Sequence, residues 1–585
     1  MIFCSNLISV ILLLFCFSCL FIETSILNIG LDLSDEGWHL SKFRFPEEVK
    51  ATLSRDHLYS SLIFKLVNYN LGYLRLVNLI FVTSSSAILG YGFWQFYKKH
   101  SPSTAQAPSL LVSIICSIIL CQLPSLWIER VPAYNNWAAF LSLTSIGFLF
   151  IWITNLEERN WVCPFSIGLI ICLAAFIRPP NAITLSFILI LGLISFKRLN
   201  VYSLLFFVFG AIIMMCIHFI FIESPLLYFE TTKMGFKFDA LLQSEHGLIT
   251  IKRHFWELYG TLKFALLFNK YEILLTLLIY TYLIRIGKNT LAISLVYLST
   301  IYISIKHLQF GDINGAQSLY WYQWRYYFAQ LCVLIILGLT TIVIKRGGNH
   351  FKWLTKKTVF GFLLLTSPVL LAFGTNNILM FNMNFYTSLF LLGIIICFCN
   401  FVKNRISKFR HLHVQFILLL FSLGPFFAYL NGRSNAGLYT IAEASFGKYQ
   451  ENEQSLEIEG NVIQVTNPTK NIYIQLKKSL GDLNRKVKYM INFSSMPGLN
   501  FVCNLPHPIQ SWTLMMKDNF TLKNISMDDF QDSVILINQN NSNTQKELSE
   551  YFPNWKSSHK LTGQASWSIN NIKNTLLIYS PSHYE

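Results

Sequence analysis

Apolar runs close to 20 residues long recur along this chain, and that recurrence constrains its fold more than any other feature. A packed soluble core does not require such runs, whereas the hydrocarbon of a bilayer does. The chain has 585 residues, 53% of them hydrophobic and only 13% charged, against about a quarter charged in ordinary soluble domains. The expected class is therefore an all-α polytopic membrane domain. By the 20-residue criterion about 13 spans are predicted. They are Ile8–Leu27, Leu74–Tyr97, Pro108–Ile128, Trp137–Thr154, Phe165–Ile177, Ala182–Phe196, Tyr202–Ile222, Glu272–Ile286, Leu291–Ile305, Tyr327–Ile344, Val359–Phe373, Tyr386–Val402 and Val414–Leu430.

The net charge of +16 would point a soluble protein toward nucleic acid. Here the cations fall in short clusters between apolar runs, and no nucleic-acid motif is present. Lys98-Lys99, Arg159, Lys197-Arg198, Lys288, Lys345-Arg346 and the Lys403 to Arg410 group all follow even-numbered spans. Lys and Arg mark cytoplasmic loops, so the N-terminus is expected in the cytoplasm, with the first loop and everything after the last span outside. The N-terminal run lacks a basic leader and a small-residue cleavage site, so it reads as a retained anchor. Most of the 12 cysteines lie in apolar runs and read as small hydrophobes. Cys503 stands alone near the C-terminus, so that region is expected to hold no internal disulfide.

After Leu430 the composition turns polar and rich in Asn, Ser, Lys and Gln. The division is residues 1–430 as the membrane domain and 431–585 as a soluble α/β or α+β domain of roughly 150 residues, a plausible single-domain size. Val534–Asn538 and Thr575–Tyr579 read as strands, with a helical signal around Ile474–Leu483.

Candidate chemistry clusters in the predicted outer loops. LDLSDEGWHL, Leu31 to Leu40, carries Asp32, Asp35, Glu36 and His39 within eight residues. Ionisable groups near a bilayer are costly and often functional. A carboxylate against hydrocarbon also has its pKa raised, which suits a general base. The alternative is a solvated loop whose Asp32, Ser34 and Asp35 cap a helix starting near Glu36. IERVPAYNNW (Ile128–Trp137) places Arg130, Tyr134, Asn135 and Asn136 on the cation-poor side, where they suit a sugar; the alternative is an interfacial aromatic belt. Arg178 in IRPPN can grip a phosphate bidentately or simply snorkel. The polar loop Glu223–Leu262 reads as a mobile outer segment covering a site; the alternative is a surface loop with amphipathic helices on the membrane. Arg325 among Tyr320, Trp321, Tyr322, Trp324, Tyr326 and Tyr327 suits a phosphate amid carbohydrate or lipid, again with the aromatic belt as the alternative. FGTNN, with Asn376, reads as a glycan contact or only a turn. Carboxylates and three outward arginines on one side are what an anionic, lipid-linked donor would need.

An acidic Asp-Glu pair in the first outer loop of a polytopic chain resembles the GT-C glycosyltransferases, which include protein O-mannosyltransferases and lipid A aminoarabinose transferases. SDEGWHL, Ser34 to Leu40, stands at that place. The resemblance implies Asp35 as catalytic base with Glu36 as its neighbour. It also implies an inverting transfer from a polyprenyl-phosphate sugar to a glycan, lipid or protein acceptor. Membrane lipid is the surrounding partner, a bacterial inner membrane the location, and the C-terminal domain is extracytoplasmic. No cofactor is implied and no metal is indicated, although some members of the superfamily use a divalent ion. Gly37-Trp38-His39 departs from both named subfamilies and leaves donor and acceptor open. His39, Arg130, Tyr134, Asn135, Asn136, Arg178, Arg325 and Asn376 are substrate-binding candidates by topology alone. The competing classes are a secondary transporter or lipid flippase, disfavoured because no repeated halves are found, and a non-catalytic polysaccharide-assembly protein that would not need Asp35.

Overall fold

The computed structural model describes residues 2–100, 108–128, 130–154, 161–241, 248–310, 323–332, 355–373, 379–401, 410–431 and most of 453–584. The chain is mostly helical. Helix α1 is Ile2–Ser25, followed by the short α2 (Asp35–Arg44) and α3 (Asp56–Leu66). Then come α4 (Leu71–His100), α5 (Pro108–Ile128), α6 (Tyr134–Thr154), α7 (Val162–Ile177), α8 (Pro179–Ser195) and α9 (Val201–Ile217). Helix α9 continues as a π-helical turn, His218–Ile222. The series proceeds through α10 (Pro225–Leu241), α11 (Leu248–Phe268), α12 (Lys270–Arg285), α13 (Asn289–Phe310), α14 (323–332), α15 (Lys356–Ala372), α16 (Leu379–Met383), α17 (Thr387–Phe401) and α18 (Arg410–Asn431).

Six helical stretches among the described residues are long and apolar enough to cross a membrane. They are Cys4–Ser25, Leu71–His100, Pro108–Leu126, Tyr134–Thr154, Val201–Ile222 and Leu379–Cys399. Val162–Ile177, Pro179–Ser195, Ser294–Ile303 and Leu412–Phe427 are apolar but shorter. Of the roughly 13 spans expected from sequence, six therefore stand as long apolar helices among the described residues and four more as shorter ones, and most of Tyr327–Ile344 lies outside the described residues. Large apolar side chains stand exposed on the outer faces, among them Leu13, Leu14, Phe17 and Phe21 on α1 and Leu204, Leu205 and Phe209 on α9. In water such a surface would associate; against hydrocarbon it is the expected one. Inside the bundle, small polar side chains join helices. Ser9 Oγ lies 2.9 Å from Ser113 Oγ, and Gln415 Nε2 donates to both at 3.1 Å, tying α1, α5 and α18 together.

The segment from Glu223 to Leu262 is largely helical: α10 and α11 occupy most of it, with 242–247 outside the described residues. The aromatic run before Tyr327 is not an interfacial belt where it is described. Trp324, Tyr326 and Tyr327 are fully buried in the main apolar core, Tyr327 stacking on Phe421 with centroids 5.8 Å apart.

The C-terminal region holds a hairpin, β1 (Gln454–Ile458) with β2 (Asn461–Val465), the helix α19 (Asn467–Leu480), and a four-stranded mixed sheet. The sheet order is β3-β4-β6-β5, from β3 (Tyr489–Phe493), β4 (Ser533–Asn538), β5 (His559–Ile569) and β6 (Ile572–Pro581). Strands β3 and β4 are parallel and the other pairs antiparallel. Between β3 and β4 lies the short helix α20 (Gly498–Val502). This region shares one apolar core with the segment after α1. Leu31, Leu33, Leu40, Phe43, Phe64 and Leu74 pack in the same cluster as Leu499, Val502, Met490 and Leu536.

Candidate active site

The chain leaves α1 through a turn that only glycine adopts without strain: Gly30 has φ +77°. The strand-like stretch that follows is tied to β2, with Gly30 N donating to Gln464 O at 2.7 Å and Gln464 N donating to Asn28 O at 2.8 Å. Asp32 then organises the start of α2. Its carboxylate accepts from Ser34 N at 2.7 Å and Glu36 N at 3.2 Å. Burial pushes its pKa up to about 6 despite the hydrogen bonds from Ser34 that lower it. Ser34 occupies the N-cap position without a side-chain cap bond; the cap role falls to Asp32. Helix α2 is pressed onto α20 at a glycine pair. A Cβ on Gly37 would stand 2.4 Å from Gly498 Cα, so no side chain fits on either helix there.

Spacing on α2 separates the two adjacent acids. Asp35, His39 and Lys42 are four and three residues apart and share one face. Glu36 lies round the helix and meets Arg75 of α4, with Nη2 to Oε2 at 2.7 Å and Nε to Oε1 at 2.9 Å. Arg75 also donates to Leu27 O at 2.7 Å and Gly30 O at 2.6 Å. Burial would raise the Glu36 pKa, but Arg75, and after it Arg130, outweigh burial and hold it below the ordinary value. Arg130 donates to Ile29 O and Ile26 O, both at 2.6 Å. Glu36, Arg75 and Arg130 therefore bind the end of α1 to α4 and the loop before α6. Asp35 is half-buried at the first position of α2.

The Asp35 face looks toward α3 and α6. Lys42 Nζ lies 3.5 Å from Asp56 Oδ1 and 4.1 Å from the Trp38 ring centroid. Ser54 Oγ donates to the same Asp56 oxygen at 2.8 Å. His39 Nδ1 stands 3.9 Å from Asp56 Oδ2. Burial, and then the Lys42 charge, push the His39 pKa down to about 3, so the ring is neutral at pH 7. Its centroid is 6.1 Å from that of Tyr134, and the Arg178 guanidinium carbon is 5.9 Å from the Tyr134 centroid. Arg178 is buried at the α7–α8 corner. It donates to Asn135 Oδ1 at 3.1 Å, Ala372 O at 3.2 Å and Phe373 O at 3.3 Å. Among the described residues no carboxylate pairs with it, and its Nε–H has no hydrogen-bond partner.

The structure thus gathers the helix face of Asp35 with His39, Tyr134, Asn135 and Arg178, and gathers Glu36 with Arg130 on a separate network. Asn136 is buried on α6 facing Val82, Ser85, Gln122 and Phe385. Arg325 lies with its guanidinium 4.0 Å from the Phe264 ring centroid on α11, among helices apart from α2. Asn376 lies outside the described residues.

Sequence reasoning missed Arg75, Lys42, Asp56 and Arg55. Lys42 was findable, because it continues the Asp35 and His39 spacing. Arg75 and Asp56 find their partners 39 and 14 residues away, which no local pattern reveals. Arg55 is 1% exposed and holds the start of α10. It donates to Glu223 Oε2 at 2.9 Å, Tyr228 O at 2.8 Å and Thr231 Oγ1 at 2.6 Å. No group of three His, Cys, Asp or Glu side chains among the described residues is placed to hold a metal ion. No family model, curated protein or solved structure matches this chain.

Proposed function

We propose that this chain is a membrane glycosyltransferase of the GT-C type. In this reading it transfers a sugar, with inversion, from a polyprenyl-phosphate donor to a glycan, lipid or protein acceptor on the extracytoplasmic face. The observation that carries the reading is Arg178. A buried guanidinium needs an anion, and here no carboxylate supplies one among the described residues. The contacts from Arg178 through Tyr134 and His39 lead to the helix that begins at Asp35. A phosphate at Arg178 would complete the charge balance, and Asp35 on the adjoining face would take the proton of the acceptor. Glu36 is committed to its pair with Arg75.

Parity supports the topology in this reading. Helices α2 and α20 touch, so they lie on one side of any membrane that the chain crosses. An even number of crossings must then separate them. Five of the six long apolar helices come after α2, an odd number, so in this reading at least one further segment of the chain crosses as well. The total becomes odd, as the Lys and Arg clusters also require.

The test is sugar release from a panel of radiolabelled polyprenyl-phosphate sugars by the purified protein. Turnover of one donor by the wild type and none by Asp35→Asn supports the reading. Equal turnover by both removes Asp35 from the mechanism, and absence of turnover with every donor and acceptor offered counts against the class.

A further inference from the structure

Two polar atoms in the core of the site face each other without partners. His39 Nδ1 and Asp56 Oδ2 are buried and neither makes a hydrogen bond among the described residues. Their residues are 4% and 0% exposed, and the atoms are 3.9 Å apart. The other oxygen of Asp56 is already occupied by Ser54 and Lys42. Leaving two such groups unsatisfied costs about 1–3 kcal/mol each, so the gap is incomplete as it stands.

The chemistry of the pair selects what completes it. Asp56 Oδ2 is an acceptor and needs a donor. The neutral His39 ring, turned toward a carboxylate, presents Nδ1–H and needs an acceptor. One group that both donates and accepts satisfies both atoms, and a hydroxyl is that group. An ammonium only donates and a carbonyl only accepts. A hydroxyl oxygen at about 2.8 Å from each atom fits between two points 3.9 Å apart. The rings of Trp38 and Tyr134, both partly exposed, flank His39 and supply apolar faces against which a sugar ring packs. We propose that His39 Nδ1 and Asp56 Oδ2 together hold one hydroxyl of the donor sugar, as a specificity site between Arg178 and Asp35. This rests on the transferase reading above. A trapped water is the other source of the same chemistry.

The experiment measures binding of farnesyl phosphate, alone and esterified to mannose, glucose, galactose or N-acetylglucosamine, to the full chain in lipid nanodiscs. The gain in affinity of the sugar ester over the bare phosphate reports the hydroxyl site, whereas the bare phosphate reports Arg178. His39→Phe keeps the ring packing and removes no charge at pH 7. It is expected to leave farnesyl phosphate binding unchanged and to lower the gain for the preferred sugar about 10- to 100-fold. Asp56→Asn, the second variant, is expected to lower the same gain, read against its own affinity for the bare phosphate because it also removes the partner of Lys42. A gain equal in wild type and both variants overturns the proposal while the transferase reading stands. No gain in the wild type with any sugar means that only water fills the gap, and also overturns it. Failure of the wild type to bind farnesyl phosphate overturns the reading of Arg178 and the proposal with it.

Discussion

Replacing Glu36 by Gln separates structural from chemical roles at the acid pair. Glu36 is 8% exposed and pairs with Arg75 through two bonds, at 2.7 and 2.9 Å. Gln keeps the shape but turns an N–H toward a guanidinium that has only donors. The Arg75 charge is then left buried without the carboxylate it paired with. Breaking one side of a buried pair costs about 3–5 kcal/mol, and the carbonyls that Arg75 retains, Leu27 and Gly30, do not replace a charge. At about 2 °C per kcal/mol for larger domains, the apparent Tm of the purified protein should fall by about 6–10 °C. Arg75→Met added to Glu36→Gln should recover part of the loss, because an apolar replacement removes the stranded charge. The effect also has a pH sign. The Glu36 pKa is depressed in the fold, so its contribution is present above the ordinary value of 4.5 and is lost as pH falls through the folded value. An unchanged Tm in Glu36→Gln would refute the assignment of Glu36 as the anchor of α2.

Three further outcomes are expected. His39 is held neutral by burial, its pKa moved from 6.5 to about 3. The unfolded chain then binds the extra proton first, so stability should fall as pH drops from 6.5 toward 3, by up to about 1.4 kcal/mol per pH unit from this group. His39→Phe should flatten that slope in a Tm series from pH 7 to 4, and an unchanged slope would contradict it. Gly37→Ala places a methyl 2.4 Å from Gly498 Cα. Overpacking of this kind costs about 1–3 kcal/mol, and limited proteolysis should then cleave the C-terminal region faster; an unaltered digest would contradict the close contact. Arg55→Met should remove the donors to Tyr228 O and Thr231 Oγ1 and raise hydrogen exchange along residues 225–241, whereas unchanged exchange there would show that Arg55 does not hold this helix.

The parts of the fold readable in sequence were those with a period or a length. Apolar runs gave α4, α5 and α6 nearly to their ends, because hydrocarbon sets a length that composition must meet. Val534–Asn538 and Thr575–Tyr579 emerged as parts of β4 and β6, because buried sheet strands are short continuous apolar runs. Helices α10 and α11 were legible only as the alternative to a mobile loop, because the mixed charges of the segment suit either. At the site, Asp35 and His39 were legible by their crowding. The division of labour between Asp35 and Glu36 was not, because it depends on Arg75, whose partner is 39 residues away. The approach of Gly498 to Gly37 of α2 was not legible for a similar reason, since neither segment shows it alone.

The most direct test of the account is a transfer assay run on Asp35→Asn and Glu36→Gln side by side, using the donor that the wild type turns over and normalising to folded protein. Folded Asp35→Asn is expected to lose transfer. Glu36→Gln should lose stability while its folded fraction still transfers. Full transfer by folded Asp35→Asn, or abolished transfer in a Glu36→Gln protein of wild-type stability, would contradict it.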